Sequence, residues 1–192
     1  MSGTSRRTHV LQTALRTFAR HGYRKASMDD VAQAADISRP GLYFHFSSKP
    51  DLFRATVAHA LDESLEDARR ALADLDGPLP DRLIGAFDAW SGRYVGPLTA
   101  EIDLLLDTHP ELLGTMPAEY SHRFRTAVTD ALAADRHGPF RVPAVDVART
   151  LISTAVGIKH DVSTRDEFRA RMTIAVDLYV APRPEGPAGT DR

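Results

Sequence analysis

Apolar residues recur at the three- and four-residue spacing of an α-helix along almost the whole chain. One such series, from Val57 to Leu75, places an apolar residue on the same helical face in every turn. Successive residues of a helix lie about 100° apart, so this spacing gives one face that can be buried. No comparable two-residue alternation is present, and the sequence therefore predicts an all-α fold.

Glycine and proline separate the predicted helices. Breaks at these residues divide the chain into about nine helices of ordinary length, and the short loops between them indicate a bundle. The clearest breaks are Gly22, Gly77-Pro78, Gly96-Pro97, Pro110, Gly138-Pro139 and Pro143. Residues 182–192 contain three prolines, two glycines and no apolar periodicity, which predicts a disordered tail.

Composition excludes several classes of protein. Of the 192 residues, 43% are hydrophobic and 26% charged, which is enough for a folded core. No uncharged run is longer than nine residues, so we expect no membrane span and a cytoplasmic protein.

The chain has no cysteine, which excludes disulfides and thiolate zinc sites. The histidines are scattered, and no nucleophile elbow or phosphate loop is present, so we predict no metal, no cofactor and no enzymatic activity.

Charge is distributed unevenly along the chain. Residues 1–55 carry nine Lys and Arg against four Asp and Glu, a net charge of +5. The remaining residues carry 15 basic against 22 acidic side chains, a net charge of −7. This asymmetry predicts that the N-terminal segment alone meets a polyanion such as DNA.

Residues 27–53 combine helix caps with a tight turn. Ser27 and Asp30 form an N-terminal capping pair for a short helix over Asp29–Ala35. Asp36 then lies where the chain must reverse, and aspartate tolerates the left-handed conformation better than most residues. Ser38 can cap a second short helix, and Ser48 with Asp51 can cap a third. Two short helices joined by a tight turn predict a helix-turn-helix.

The segment from Ala14 to Phe53 reads ALRTFARHGYRKASMDDVAQAADISRPGLYFHFSSKPDLF and resembles the N-terminal DNA-binding domain of TetR-family transcriptional regulators. The most specific part is the run LYFHF, residues 42–46, followed by Lys49 and Leu52. Two features depart from the family pattern. Asp36 stands where the family usually has glycine, and Pro40-Gly41 leaves the recognition helix few long side chains.

The resemblance implies a role for each polar residue of the motif. Ser27 and Lys49, each at a helix start, should bind backbone phosphates together with Tyr43 and His45. Arg39 should pair with guanine in the major groove. Short-range base contacts should come from Ser38, Pro40 and Gly41. Three aromatic side chains, Phe18, Phe44 and Phe46, are assigned instead to the small core of the domain.

The rest of the chain predicts a small-molecule site lined by two amphipathic helices, residues 83–95 and 117–134. Aromatic and apolar side chains should form its walls, and a few hydroxyl and imidazole groups should anchor the ligand. An equally simple interpretation of the same pattern is an ordinary core. The predicted lining residues are Phe87, Trp90, Tyr94, Leu105, Thr108, His109, Tyr120 and Phe124.

These observations lead to one leading hypothesis and two alternatives. The chain is interpreted as a ligand-responsive transcriptional repressor that binds a palindromic operator as a homodimer and is released by a small hydrophobic effector. Residues 1–50 would bind DNA, and residues 51–181 would bind the ligand and form the dimer. The alternatives are an α-helical carrier or enzyme that never binds DNA, and an architectural DNA-binding protein without an effector.

Two further expectations concern the dimer and its control. The dimer should form through the last two helices, and a long helix from about Asp51 to Asp76 should transmit the effector signal to the DNA-binding segment. The residues predicted for the dimer interface are Val145, Ala148, Ile152, Ala155, Val156, Phe168, Met172, Ala175 and Tyr179.

Overall fold

The fold is described from a computed structural model, which describes residues 3–96, 110–135 and 142–180. Over these residues the chain forms nine α-helices, one short 3₁₀-helix and no strand, which confirms the all-α prediction. The helices are α1 (Gly3–His21), α2 (Met28–Ala34), α3 (Arg39–His45), α4 (Lys49–Ala73), α5 (Leu79–Trp90), the 3₁₀-helix (Gly92–Tyr94), α6 (Pro110–Leu113), α7 (Met116–Ala134), α8 (Ala144–Asp161) and α9 (Arg165–Val180).

The N-terminal helices share a small core of their own. Helices α1 to α3 and the first turns of α4, residues 3–57, are called the head. Phe18 of α1 packs edge-on against Phe53 of α4, with ring centroids 5.3 Å apart, and Leu42 of α3 is completely buried beside them. Leu113 of α6 joins the same cluster from far along the chain. One side chain from beyond the head is therefore part of its core.

A second core lies among the remaining helices. The later turns of α4 together with α5 and α7 to α9 are called the body. Phe87 of α5 and Phe124 of α7 contact edge to face at 5.4 Å, and Phe168 of α9 is fully buried in the same cluster. The buried carboxylate of Asp88 accepts two hydrogen bonds from Arg165, in a bidentate arrangement, and a third from Arg169. These bonds connect α5 to α9.

Helix α4 belongs to both cores. Its 25 residues extend about 37 Å at the standard rise per residue. Leu52 and Phe53 pack in the head, and Leu65 and Leu72 pack in the body. The helix runs without a break through the predicted boundary between residues 50 and 51, and it ends at Ala73 rather than at the predicted Asp76. The head and the body are thus joined by one continuous helix.

The helix predicted over residues 83–95 is wrong at both ends. It begins at Leu79, because Pro80 fits the first turn, where amide groups lack intrahelical partners. It ends at Trp90 and is followed by the 3₁₀-helix. At Gly92 the backbone lies so close to its neighbours that a Cβ atom would be 2.5 Å from an Asp88 carboxylate oxygen and 2.8 Å from the Phe168 ring. Packing on α9 therefore determines the turn at the end of α5. The second helix, predicted over residues 117–134, begins one residue earlier.

The last two helices bury much of the face that was predicted to form the dimer. Most of the named residues on that face belong to the protomer's own core: Ala148, Ala155, Phe168, Met172 and Ala175. Three other residues of the predicted set are exposed on the outer sides of α8 and α9, namely Val145, Val156 and Tyr179, and Ile174 and Leu178 are exposed beside them in sequence. The prediction placed these residues on one side of each helix, but the set includes both buried and exposed side chains, because periodicity does not show which apolar face packs within the protomer.

Candidate nucleic-acid interface and effector region

Helix α2 begins with a complete capping box. The Ser27 hydroxyl oxygen accepts a hydrogen bond from the Asp30 amide at 3.1 Å, and the Asp30 carboxylate accepts one from the Ser27 amide at 2.8 Å. Hydrogen bonds from the Ser27 side chain and backbone lower the pKa of Asp30 below its ordinary value. Two amide groups that a helix start leaves without partners are satisfied in this way. Ser27 itself stays exposed on the surface.

The turn between α2 and α3 has the backbone that the sequence predicted. Asp36 adopts a φ of 52°, the left-handed conformation, and the Ile37 amide donates back to the Ala32 carbonyl at 3.0 Å. Ser38 then caps α3 by accepting from the Gly41 amide at 3.2 Å. A side chain at Gly41 would be 3.1 Å from the Ser38 hydroxyl, so glycine fits this tight first turn.

Helix α3 has one buried side and one exposed side. Leu42 and Phe46 point into the head core, while Arg39, Tyr43 and Phe44 are exposed. The assignment of Phe44 to the core is wrong, because its side chain is 85% exposed. Two residues along a helix correspond to about 200°, which places Phe44 opposite Leu42. Spacing within the run LYFHF was the signal that could have identified Phe44 as a surface residue.

Arg39 and His45 make specific contacts on this surface. The Arg39 Nε lies 3.1 Å from a carboxylate oxygen of Asp29, in the first turn of α2. The Arg39 guanidinium also lies over the Tyr43 ring, 5.7 Å from its centroid. His45 is partly buried, and its ring meets that of Phe44 edge-on at 5.2 Å. Asp29 was not identified from the sequence as a functional residue.

The first turn of α4 meets the loop between α1 and α2. The Lys49 ammonium donates to the Arg24 carbonyl at 3.2 Å and lies 4.5 Å from the centroid of the Tyr23 ring. Partial burial lowers the pKa of Lys49, and the charge of Asp30 opposes this effect. The Asp29–Arg39 pair joins the starts of α2 and α3, and the charges of Asp30 and Lys49 interact between the starts of α2 and α4. All eight residues predicted to bind DNA are at least partly exposed: Ser27, Ser38, Arg39, Pro40, Gly41, Tyr43, His45 and Lys49.

In the body, three of the predicted effector-site residues form an aromatic stack. Phe124 lies between Phe87, which it meets edge-on, and Trp90, which it stacks on in parallel at 4.7 Å. Phe87 and Phe124 are buried, and Trp90 is partly exposed. Leu105, Thr108 and His109 lie outside the described residues. The described part of the predicted site therefore consists of this stack, Tyr94 and Tyr120.

Both of those tyrosines are hydrogen-bonded to α4. The Tyr94 hydroxyl lies 2.8 Å from the Ser64 hydroxyl and donates to the Ala60 carbonyl at 3.1 Å. Burial raises the pKa of Tyr94 above its ordinary value. The Tyr120 hydroxyl donates to Asp62, which lies between Ala60 and Ser64 on the same helix. Two predicted anchors of the effector thus contact the helix that leads to the head.

Two surface grooves lie outside the aromatic stack of Phe87, Phe124 and Trp90. One follows the end of α4 beside Asp67 and Asp74, and the other lies between α1 and α2 beside Arg16, Arg20 and Gln33. Within residues 3–96, 110–135 and 142–180, no three His, Asp or Glu side chains are grouped so as to hold a metal ion. Among the helices of these same ranges, none is both long and apolar enough to cross a membrane.

Comparison with known proteins agrees with this geometry. Residues 10–56 match the family model "Bacterial regulatory proteins, tetR family". The transcriptional activator FasR of Mycolicibacterium smegmatis is 40% identical over 67 residues, which are 35% of this chain and 31% of FasR. The negative transcriptional regulator IcaR of the icaADBC biofilm operon in Staphylococcus epidermidis is 22% identical over 126 residues, or 64% of this chain and 65% of IcaR. Both matches span less than two thirds of the relative's length.

The fold is shared over nearly the whole chain. The structure of AibR in complex with isovaleryl coenzyme A and operator DNA superposes with a TM-score of 0.65 and 22% identity. The superposition covers 92% of this chain and 99% of AibR. The similar proteins are named as regulators of transcription rather than as enzymes. The motif, the cap geometry and the family model agree that residues 10–56 form a DNA-binding domain of the tetR family, and the fold of nearly the whole chain is shared with AibR.

Proposed function

We propose that this protein is a transcriptional repressor that binds an operator of two-fold symmetry as a homodimer and leaves it when a small hydrophobic effector binds the body. The observation that carries the proposal is the surface formed by the starts of α2, α3 and α4, within the segment that matches the tetR family model. A helix-turn-helix places such a surface against the major groove and the phosphates on either side. The basic charge of the head supports the same orientation.

Each side chain on this surface has a chemical role in the proposal. Ser27 and Lys49 hold phosphates, because helix starts already favour an anion through amide groups and the helix dipole. Tyr43 and His45 add further phosphate contacts, and Arg39 reads guanine. The small residues of the α3 start allow close approach to the bases: Ser38, Pro40 and Gly41. Phe44 adds an exposed apolar ring, which suits a thymine methyl group or a deoxyribose.

A random-pool selection tests the DNA-binding part of this proposal. The full-length protein is incubated with random duplex DNA at low salt, and the bound fraction is amplified and sequenced. We expect enrichment of one sequence with two-fold symmetry, whose half-sites lie about one helical turn apart or a multiple of it. Uniform recovery of all sequences would support the architectural alternative, and no recovery above background would support the carrier.

The proposed dimer uses the exposed sides of α8 and α9. Val156 and Ile174 are central to this surface, and Gly157 beside Val156 has open space around its Cβ position. Small residues let two helices approach closely, and two such pairs would form an isologous four-helix bundle. Ile174→Arg should give monomers in sedimentation experiments while the protomer stays folded. The matched change Leu75→Arg, at an exposed apolar residue of the α4–α5 loop, should leave the dimer intact.

The proposed signal from effector to head passes through α4 and α6. Tyr94 and Tyr120 contact α4 in the body, and Arg54 of α4 donates to the Leu112 carbonyl of α6 at 3.1 Å. Leu113, next to Leu112, packs in the head core. A ligand can release DNA only if it binds the DNA-incompetent arrangement more tightly. An effector seated against Trp90 would displace contacts on α4 and thereby change the orientation of the head.

Trp90, the one tryptophan of the chain, gives the effector hypothesis a direct optical readout. The probe set is a panel of short-chain acyl coenzyme A thioesters, a class suggested by isovaleryl coenzyme A in the AibR complex, together with their free fatty acids. We expect one compound to change Trp90 fluorescence and to release the selected operator at the same concentration. A compound that releases DNA equally well from the Trp90→Ala variant would place the effector site elsewhere.

Repression rather than activation is the last part of the proposal. IcaR is named a negative regulator, whereas FasR is named an activator. A dimer that covers two successive major grooves would exclude polymerase from any promoter it overlaps, which favours repression as the simplest outcome. Transcription in vitro from a template with the selected operator inside the promoter should fall when the protein is added and recover with the effector. Increased transcription would indicate an activator.

A further inference from the structure

We propose that Asp29 is a specificity-determining residue that positions Arg39 for reading guanine. This inference rests on the proposed DNA-binding function and goes beyond it, because it assigns a role to an acidic side chain on a surface meant for a polyanion. A negative charge there opposes phosphate binding. Its place in the first turn of α2 suits the helix dipole, and its ion pair with Arg39 gives it a second role on this surface.

The geometry gives Asp29 one partner across the turn. Its carboxylate lies 3.1 Å from the Arg39 Nε, which joins the first turn of α2 to the first turn of α3. Asp29 takes no part in capping α2, since Asp30 makes both bonds of the capping box with Ser27. The side chain of Asp29 is 57% exposed and that of Arg39 is 63% exposed. Ion pairs this exposed contribute little to the stability of a fold.

The pairing uses the Nε edge of the guanidinium, and in the proposal the two terminal nitrogens are the part that contacts DNA. Arginine has five N–H donors in a rigid plane, and Asp29 engages the one at Nε. The two terminal nitrogens, Nη1 and Nη2, are the pair that donates to O6 and N7 of guanine. The Tyr43 ring, 5.7 Å from the guanidinium, limits movement on a second side. These two contacts restrict Arg39 and do not use Nη1 and Nη2, which in the proposal donate to the base.

Holding a flexible side chain in advance improves discrimination between bases. A free arginine samples many rotamers and can reach a phosphate as easily as a base, whereas a held arginine loses less conformational freedom when it meets guanine. Asp29 also disfavours rotation of Arg39 toward a phosphate, because that movement would leave the carboxylate near the DNA backbone without its partner. The expected consequence is selectivity at one position of each half-site rather than general affinity.

The experiment compares Asp29→Ala with the matched change Asp36→Asn. Both remove one negative charge from the head, and asparagine tolerates the left-handed backbone of Asp36. Arg39→Ala first identifies the operator position that Arg39 reads. Operators with guanine or another base at that position are then compared by fluorescence anisotropy. We expect the wild-type protein and Asp36→Asn to prefer guanine by roughly tenfold or more, and Asp29→Ala to lose most of that preference.

A double variant separates positioning from other effects. In Asp29→Ala combined with Arg39→Ala, preference at this position should equal that of Arg39→Ala alone, because Asp29 acts through Arg39. Undiminished preference in Asp29→Ala would overturn the inference while leaving Arg39 as the reader of the base. A sharper preference in Asp29→Ala would also overturn it, since Asp29 would then restrain Arg39 from DNA. Unchanged preference in Arg39→Ala would contradict the proposed role of Arg39 and this inference together.

Discussion

The head exposes charged and aromatic side chains on one side of α3, whereas the body encloses its main charge cluster. In the head, Arg39, Tyr43 and Phe44 are exposed around the start of α3, and a small core supports them. In the body, Phe87 and Phe124 are buried, and the strongest charge cluster encloses the carboxylate of Asp88. Surface changes in the head should therefore alter DNA binding without unfolding the chain. Equivalent changes in the body should first alter stability or the coupling to the head.

The largest expected effect concerns the surface of the head as a whole. A dimer with several phosphate contacts in each protomer should lose about 10³-fold or more in operator affinity between 50 and 200 mM salt, because each contact releases counterions. Anisotropy titrations with the selected operator measure this directly. A change of less than about tenfold would mean that the acidic body, rather than the basic head, dominates the encounter with DNA.

Two neighbouring phenylalanines of the head test the division between surface and core. Phe46→Ala should lower the free energy of unfolding by about 3–5 kcal/mol, because Phe46 is fully buried. Phe44→Ala should change it by less than about 0.5 kcal/mol, because Phe44 is exposed. Denaturant unfolding measures both. If Phe44→Ala destabilised the head as much as Phe46→Ala, the exposed side of α3 would be wrongly placed.

The charge cluster of the body should give a smaller loss of stability. Asp88→Asn should cost about 2 kcal/mol, less than for a fully buried ion pair because Arg165 and Arg169 are half-exposed. The control Asp67→Asn, at a carboxylate that is 38% exposed against 8% for Asp88, should cost less than about 1 kcal/mol. Operator affinity should be retained by both variants at temperatures where they are folded.

Low pH should weaken the stabilisation that Asp88 and its two arginines give to the body. Burial raises the pKa of Asp88, but hydrogen bonds from Arg165 and Arg169 outweigh it, so its pKa lies below the ordinary value of 3.8. The stabilisation is therefore present above about pH 4 and is lost as pH falls through the lowered pKa of the folded state. Between pH 5 and pH 2, the difference in unfolding free energy between the wild-type protein and Asp88→Asn should shrink. A constant difference would mean that the charge of Asp88 is not what stabilises the body.

Base reading by the head should produce a modest loss of affinity that is confined to one base position. Arg39→Ala should cost about 1–3 kcal/mol on the selected operator and relax preference at one position per half-site. The control Arg125→Ala, on an exposed turn of α7, should leave both quantities unchanged. A uniform loss over all sequences with Arg39→Ala would make Arg39 a phosphate contact instead.

Local sequence signals predicted more of the head than of the body. The capping pair of Ser27 and Asp30 and the left-handed turn at Asp36 depend on residues a few positions apart, and both are present. The end of α5 depends on Gly92 packing against Phe168, which is 76 positions away. Leu113 in the head core depends equally on contacts distant in sequence. Periodicity identifies apolar faces, but tertiary packing decides where each face is buried.

The role of the helix starts in phosphate binding is tested most directly by the salt dependence of two lysine variants. Lys49→Ala removes a cation from the start of α4 in the head, and Lys159→Ala removes one from the last turn of α8 in the body. Operator affinity is measured for both variants and the wild-type protein from 50 to 200 mM salt. We predict that Lys49→Ala weakens binding to all sequences and reduces the slope of log affinity against log salt by about one per protomer, with Lys159→Ala unchanged. An unchanged slope in Lys49→Ala, or an equal reduction in both variants, would contradict the assignment of DNA binding to this surface of the head.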